Sequence, residues 1–183
     1  AYYFKNLTYA APVQLEKAIQ YANSCILSKT TIDPSLQGMG TTISIVTLAR
    51  HYAFWGHVGD SRIYLYRDGE FRQISTDHTI VQVLLDKGKI TADEVKNHPQ
   101  RHVLTRAVGV DENLLVDSGA FPVLPRDRIL ICSDGLTSFI DADVLAAAIG
   151  DYGRNERDII NGLFETVYEN GAKDNITAIL TTI

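Results

Sequence analysis

Three aspartates stand where acidic side chains could hold a cation. Asp60 ends the run Phe54-Trp55-Gly56-His57-Val58-Gly59, Asp134 follows Leu130-Ile131-Cys132-Ser133 and precedes Gly135, and Asp174 stands just before Asn175 and a final apolar stretch. Each is expected at the rim of a buried sheet. Carboxylates as the donor set suit hard cations such as Mg²⁺ or Mn²⁺, which prefer oxygen and keep several waters, better than Zn²⁺. Asp before Gly or Asn is also common in ordinary turns, so one such position carries little and only the set of three points to a metal centre.

The elements that must position them follow from periodicity. Apolar residues at helical spacing predict an amphipathic helix from Pro12 to about Lys29, ended by the Asp33-Pro34 loop. β-Branched and aromatic runs predict strands at Thr41 to Ala49, His51 to Val58, Arg62 to Tyr66 and Phe71 to Ser75, with Arg67-Asp68-Gly69-Glu70 as a hairpin turn. Two short helices are expected between Thr79 and about Asn97, the second capped by Thr91. Strands return at Leu114 to Phe121 and Arg128 to Cys132. Helices follow at Ala142 to Ile149 and Glu156 to Glu169, and Ile176 to Ile183 closes the chain as a strand. Consecutive strands joined by tight turns, with the helices in separate blocks, favour an α+β antiparallel architecture over a parallel doubly wound one.

Composition narrows the function classes. The 183 residues suit a single domain, and 17 Lys and Arg against 22 Asp and Glu leave a formal charge of −5, so no basic field attracts nucleic acid. No apolar run is long enough to cross a bilayer. Cys25 and Cys132 sit far apart, each beside an isoleucine, and read as core positions of a protein in the reducing cytoplasm. The opening residues Ala1-Tyr2-Tyr3-Phe4-Lys5-Asn6 lack the pattern of a signal peptide, and without an initial Met the true start is expected upstream. No Gly-x-x-x-x-Gly-Lys loop is present to cradle a nucleotide phosphate.

Five blocks then carry a resemblance: Gly38-Met39-Gly40-Thr41-Thr42; Gly56-His57-Val58-Gly59-Asp60-Ser61-Arg62; Asp77-His78 with His98-Pro99-Gln100-Arg101-His102-Val103-Leu104-Thr105-Arg106-Ala107-Val108-Gly109; Cys132-Ser133-Asp134-Gly135-Leu136-Thr137; and Lys173-Asp174-Asn175-Ile176-Thr177. In order and spacing they resemble the bacterial branch of the protein phosphatase 2C family over nearly the whole chain. The resemblance implies a sandwich of two antiparallel β-sheets flanked by helices, here without its N-terminal strands. It implies hydrolysis of phosphoserine and phosphothreonine in proteins by a metal-activated water, with two and in some members three Mg²⁺ or Mn²⁺ ions as cofactors. Asp134 and Asp174 would be ligands of the two-metal centre, Asp60 with Asp134 would serve a third, weaker metal position, and Gly135 would coordinate or position through its backbone. Residues 1–183 are expected to form one N-terminally incomplete catalytic domain, with 79–100 as a substrate-facing flap. The implied partners are phosphorylated proteins, opposing a serine/threonine kinase, with no nucleic acid and no membrane.

The family's Asn-Glu-Asp strand motif, its phosphate-binding Arg and its Asp-Gly-Met/His-Gly-Gly motif have no counterpart. Gln37-Gly38-Met39-Gly40 superficially resembles the last, but Gln37 is a neutral amide. The chain is therefore expected to begin after the first metal motif. A catalytically inactive phosphatase-like domain that binds a phosphoprotein or regulates another protein stays open beside the enzyme. Among the histidines, His57 lies inside a strand and reads as core or as a residue that supports a metal ligand from behind, whereas His98, in the flap, is the candidate general acid. Arg62 and Arg106 read as structural ion-pair partners.

Overall fold

The computed structural model describes residues 11–172 and 174–183. The opening Ala1 to Asn6 and Lys173 of the last motif lie outside the described residues. In chain order the elements are helix α1 (Ala11–Ile32), strands β1 (Ile43–Ala49), β2 (Tyr52–Val58), β3 (Arg62–Arg67) and β4 (Glu70–Gln73), helices α2 (Ile80–Asp86) and α3 (Ala92–Asn97), strands β5 (Asp117–Pro122) and β6 (Arg128–Cys132), helices α4 (Asp134–Thr137), α5 (Ala142–Gly150) and α6 (Glu156–Glu169), and strand β7 (Ala178–Thr182). They fall into two compact units, one made of the residues up to Asp60 with Thr76–Pro122, the other of Ser61–Ser75 with Val123–Ile183. Each carries one antiparallel sheet with helices, as the α+β expectation requires. Among the described residues no helix is long and apolar enough to cross a membrane.

In the first unit the sheet runs β1-β2-β5. Helix α1 packs on it because Leu15, Ile19 and Asn23, each 1% exposed, recur at four-residue steps along one face. Gly56 in β2 admits that close approach: a Cβ there would lie 3.0 Å from Ile19 Cδ1. Asn23 is polar, yet both ends of its amide are satisfied, Nδ2 donating to Asp111 O (2.7 Å) and Oδ1 accepting from Gly109 N (2.6 Å). Ile19, Val58, Val108 and Leu114 form the buried cluster beneath. Cys25 is exposed, against the expectation that it is core. It lies two residues past Asn23, about 200° around the helix from the packed face. The strand expected from Leu114 begins only at Asp117. Leu114 is buried from a loop instead, and Arg106 holds the carbonyl of Leu115 (3.3 Å) away from the ladder.

In the second unit the sheet runs β4-β3-β6-β7. The β3–β4 turn takes positive φ at both central residues, Asp68 (49°) and Gly69 (88°), the geometry that matches strand twist in a two-residue hairpin. Tyr64, Leu130 and Cys132 of the sheet bury against Leu136, Leu145, Ile149, Ile159, Leu163 and Val167 of α4, α5 and α6. At the entry to β6, Asp127 (1% exposed) accepts from Arg67 Nε (2.8 Å) and Nη2 (2.6 Å) and from Leu124 N (2.8 Å). Burial alone would raise the Asp127 carboxyl. The Arg67 and Leu124 hydrogen bonds outweigh it and hold the group below the usual carboxylate range.

Candidate metal centre

Asp134 and Asp174 both belong to the second unit, and their segments are laced together. Helix α4 was not anticipated from the sequence, because four residues are too few to show a period. It makes Asp134 the first residue of a helical turn that leaves β6, with Ser133 as N-cap. Ser133 N donates to Thr177 O (3.0 Å), and Thr177 N donates back to Ser133 Oγ (3.1 Å). The stretch from Asp174 to Thr177 thus runs alongside the β6–α4 junction. Gly135 closes the approach: a Cβ on it would lie 2.3 Å from the carbonyl oxygen of Asn175. Asp134 is half-buried, and Asp174 is exposed with its Oδ1 accepting from Asn175 N (2.7 Å).

Asp60 belongs to the first unit, half-buried just beyond β2. The turn before it is set by Gly59, whose φ of +112° is open to glycine alone and whose Cβ would meet Thr42 Cγ2 at 2.3 Å. Two buried imidazoles flank that turn. His57 accepts from Ser44 Oγ at Nδ1 (2.9 Å) and donates from Nε2 to Gly59 O (3.0 Å). His78 accepts from Gly59 N at Nδ1 (3.1 Å) and donates from Nε2 to Asp117 Oδ2 (3.1 Å), while Arg106 Nη1 reaches Asp117 Oδ1 (2.6 Å). Burial pushes the His57 imidazole down to about 4, with His78 adding to the effect, so His57 is neutral near pH 7. Burial likewise lowers His78, against the pull of Asp117. Asp117 is itself held low because the Arg106 and His78 hydrogen bonds outweigh its partial burial.

His98 caps the C-terminus of α3, half-buried, and its Nδ1 accepts from Gln100 N (3.1 Å). It belongs to the first unit with α2 and α3, whose capping box joins Thr91 and Glu94. Arg106 is in the expected ion pair. The role of Asp117 and the lacing by Ser133 were not foreseen. For Asp117 the only sequence signal is a charged residue opening an otherwise small and apolar strand.

Among the described residues no cluster of three or more His, Cys, Asp or Glu is placed to hold a metal ion. What is present fits a hard divalent cation in its chemistry, since Asp134 and Asp174 are oxygen donors on segments whose close approach depends on Gly135 having no Cβ.

A sequence profile of protein phosphatase 2C matches residues 7–83. The serine/threonine protein phosphatase PstP of Mycobacterium tuberculosis is 35% identical over 173 residues, which is 93% of this chain and 32% of PstP. The serine/threonine phosphatase stp of Listeria welshimeri is 34% identical over 169 residues, 91% of this chain and 66% of its own length. The chain therefore spans from about a third to just under two thirds of these relatives. The crystal structure of M. tuberculosis PstP/Ppp superposes with a TM-score of 0.89 at 33% identity, covering 95% of this chain and 73% of that one. A structure of the PstP catalytic domain in complex with two manganese ions superposes at 0.85 with 30% identity, over 97% and 73% of the respective chains. On this sequence and fold agreement, the chain belongs to the protein phosphatase 2C family.

Proposed function

We propose that the protein of which this chain is part hydrolyses phosphoserine and phosphothreonine in proteins with Mg²⁺ or Mn²⁺, and that residues 1–183 work within one catalytic domain. The observation that carries the reading is the pairing of Asp134 and Asp174 on segments bound to each other through Ser133 and Thr177. Asp134 and Asp174 are the proposed ligands of a two-metal centre, Asp60 with Asp134 those of a weaker third position, and Gly135 the residue that sets the spacing. When bound, such ions supply a water acidic enough to act as nucleophile near neutral pH and positive charge against the phosphoryl oxygens. Asp134 and Asp174 would supply hard oxygen donors from segments tied together through Ser133 and Thr177. His98 is the proposed proton donor to the leaving seryl or threonyl oxygen, from a flap formed by residues 79–100. The two manganese ions described for PstP support the choice of cation.

The substrates would be cytoplasmic phosphoproteins modified by a serine/threonine kinase, consistent with a net charge of −5 that offers nothing to nucleic acid. The test is release of inorganic phosphate from a phosphothreonine peptide by the product of the complete coding sequence. Turnover that requires Mn²⁺ or Mg²⁺, stops on chelation and returns on adding the metal back supports the enzyme. Folded protein that binds the phosphopeptide without turnover would instead favour a phosphatase-like binding module.

A further inference from the structure

The two peptide groups that flank the Cα of Gly59 are each held by histidine. The Gly59 N–H donates to His78 Nδ1 (3.1 Å), and its carbonyl accepts from His57 Nε2 (3.0 Å) and from the backbone N of His78 (2.7 Å). These partners fix the tautomers. His78 must carry its proton on Nε2, where Asp117 receives it, and His57 on Nε2 as well, because the Gly59 carbonyl there can only accept, which leaves Nδ1 to accept from Ser44. The rings lie 4.8 Å apart, and the two residues are 0% and 2% exposed. Arg106 in turn orients Asp117.

Glycine is the residue least able to hold a backbone conformation by itself. Here it stands at φ +112°, where Thr42 leaves no room for a side chain. Two buried imidazoles, an acid and an arginine are a large polar commitment around one residue, since each buried polar group must find its partner. Asp60 is the next residue along the chain. A carboxylate on a rotatable glycine hinge would sample several directions, whereas one behind a clamped peptide has a single backbone exit.

We propose that His57 and His78 are positioning residues that clamp the Gly59 peptide so that Asp60 presents its carboxylate to a divalent cation in one orientation. The inference rests on the metal-dependent role proposed for Asp60. It assigns each imidazole one essential atom: Nδ1 of His78 as acceptor, Nε2–H of His57 as donor. An Asn amide oxygen stands where a His Nδ1 stands, and a Gln amide nitrogen reaches where Nε2 stands.

The experiment compares His78→Asn with His78→Gln and His57→Gln with His57→Asn in the full-length protein, with Asp60→Asn as reference. Manganese binding is followed by the EPR signal of free Mn²⁺, and the Gly59 amide by hydrogen exchange in metal-free protein. Removing an outer partner of a metal ligand typically weakens metal affinity by about 10- to 100-fold. Expected are near-native Mn²⁺ affinity and Gly59 protection in His78→Asn and His57→Gln. His78→Gln and His57→Asn should lose about tenfold or more at the site that Asp60→Asn removes, with faster Gly59 exchange. Equal Mn²⁺ affinity in all four variants, or losses that track melting temperature rather than the retained atom, would overturn the clamp. Unchanged Mn²⁺ binding in Asp60→Asn would overturn the metal role of Asp60 itself, and Gly59 exchange would then show separately whether the clamp exists.

Discussion

Replacing Gly135 by Ala separates ligand spacing from stability. The added Cβ would lie 2.3 Å from Asn175 O, whereas C···O contacts settle at about 3.3 Å, so the Asp174–Thr177 segment must retreat by about 1 Å from Asp134. Three effects on stability compete. Alanine in a helical turn gains up to about 1 kcal/mol over glycine, overpacking costs about 1–3 kcal/mol, and the exposed Asp174 loop can relax part of that strain. The net loss is therefore small, about 1 kcal/mol. Catalysis does not share the relaxation, since a displacement of about 1 Å between groups that act together costs on the order of 100-fold in rate. Gly135→Ala should thus fold with a melting temperature within a few degrees of the parent and lose about two orders of magnitude in Mn²⁺-dependent kcat/KM on a phosphothreonine peptide. A variant with parental turnover would refute the idea that Gly135 sets the spacing of the two aspartates. One that fails to fold would refute the assignment of its role to the site rather than to the core.

Asp127→Ala leaves the Arg67 guanidinium and Leu124 N–H without their buried acceptor, and should cost about 3 kcal/mol in urea unfolding at pH 7, at the low end for a broken buried pair because Arg67 is partly solvated. That pair contributes above the unfolded carboxyl pKa and is lost as pH falls below about 4, so the variant's deficit should shrink in acid. His57 titrates in a higher window: it is neutral in the folded state down to about 4 but gains a proton near 6.5 when unfolded, so its stabilisation is full above 6.5 and is lost as pH falls toward 4. Metal-free protein should lose about 2 kcal/mol from this residue between pH 7 and pH 5, and His57→Gln should flatten that part of the urea-derived profile. Leu130→Ala, at a 0% exposed position between β6 and the α4–α6 helices, should cost about 2–5 kcal/mol in the same assay.

Strands and long helices were legible because their signals are local and repeated. The α6 boundaries, Glu156 and Glu169, are those the apolar period predicts, and Asp68-Gly69 marks its hairpin by backbone chemistry alone. Features set by a single turn or by distant partners were not. Helix α4 is too short to have a period, and Cys25 looks like core by its neighbours yet faces away from the seam fixed by Leu15, Ile19 and Asn23. The aspartates could be singled out by their place at strand ends. That Ser133 ties the segments of Asp134 and Asp174 together is a contact between residues 44 apart in sequence, invisible to any window. The link from His78 to Asp117 spans 39 residues and is hidden in the same way.

The most direct measurement of the metal centre is the Mn²⁺-dependent kcat/KM of the full-length protein on a phosphothreonine peptide, compared with Asp134→Asn and Asp174→Asn. Both substitutions keep the shape of the side chain and remove its charge. A centre built on these two carboxylates predicts a fall of roughly 100-fold or more in each, with the fold intact by circular dichroism. Parental turnover in either variant would contradict a metal centre built on Asp134 and Asp174.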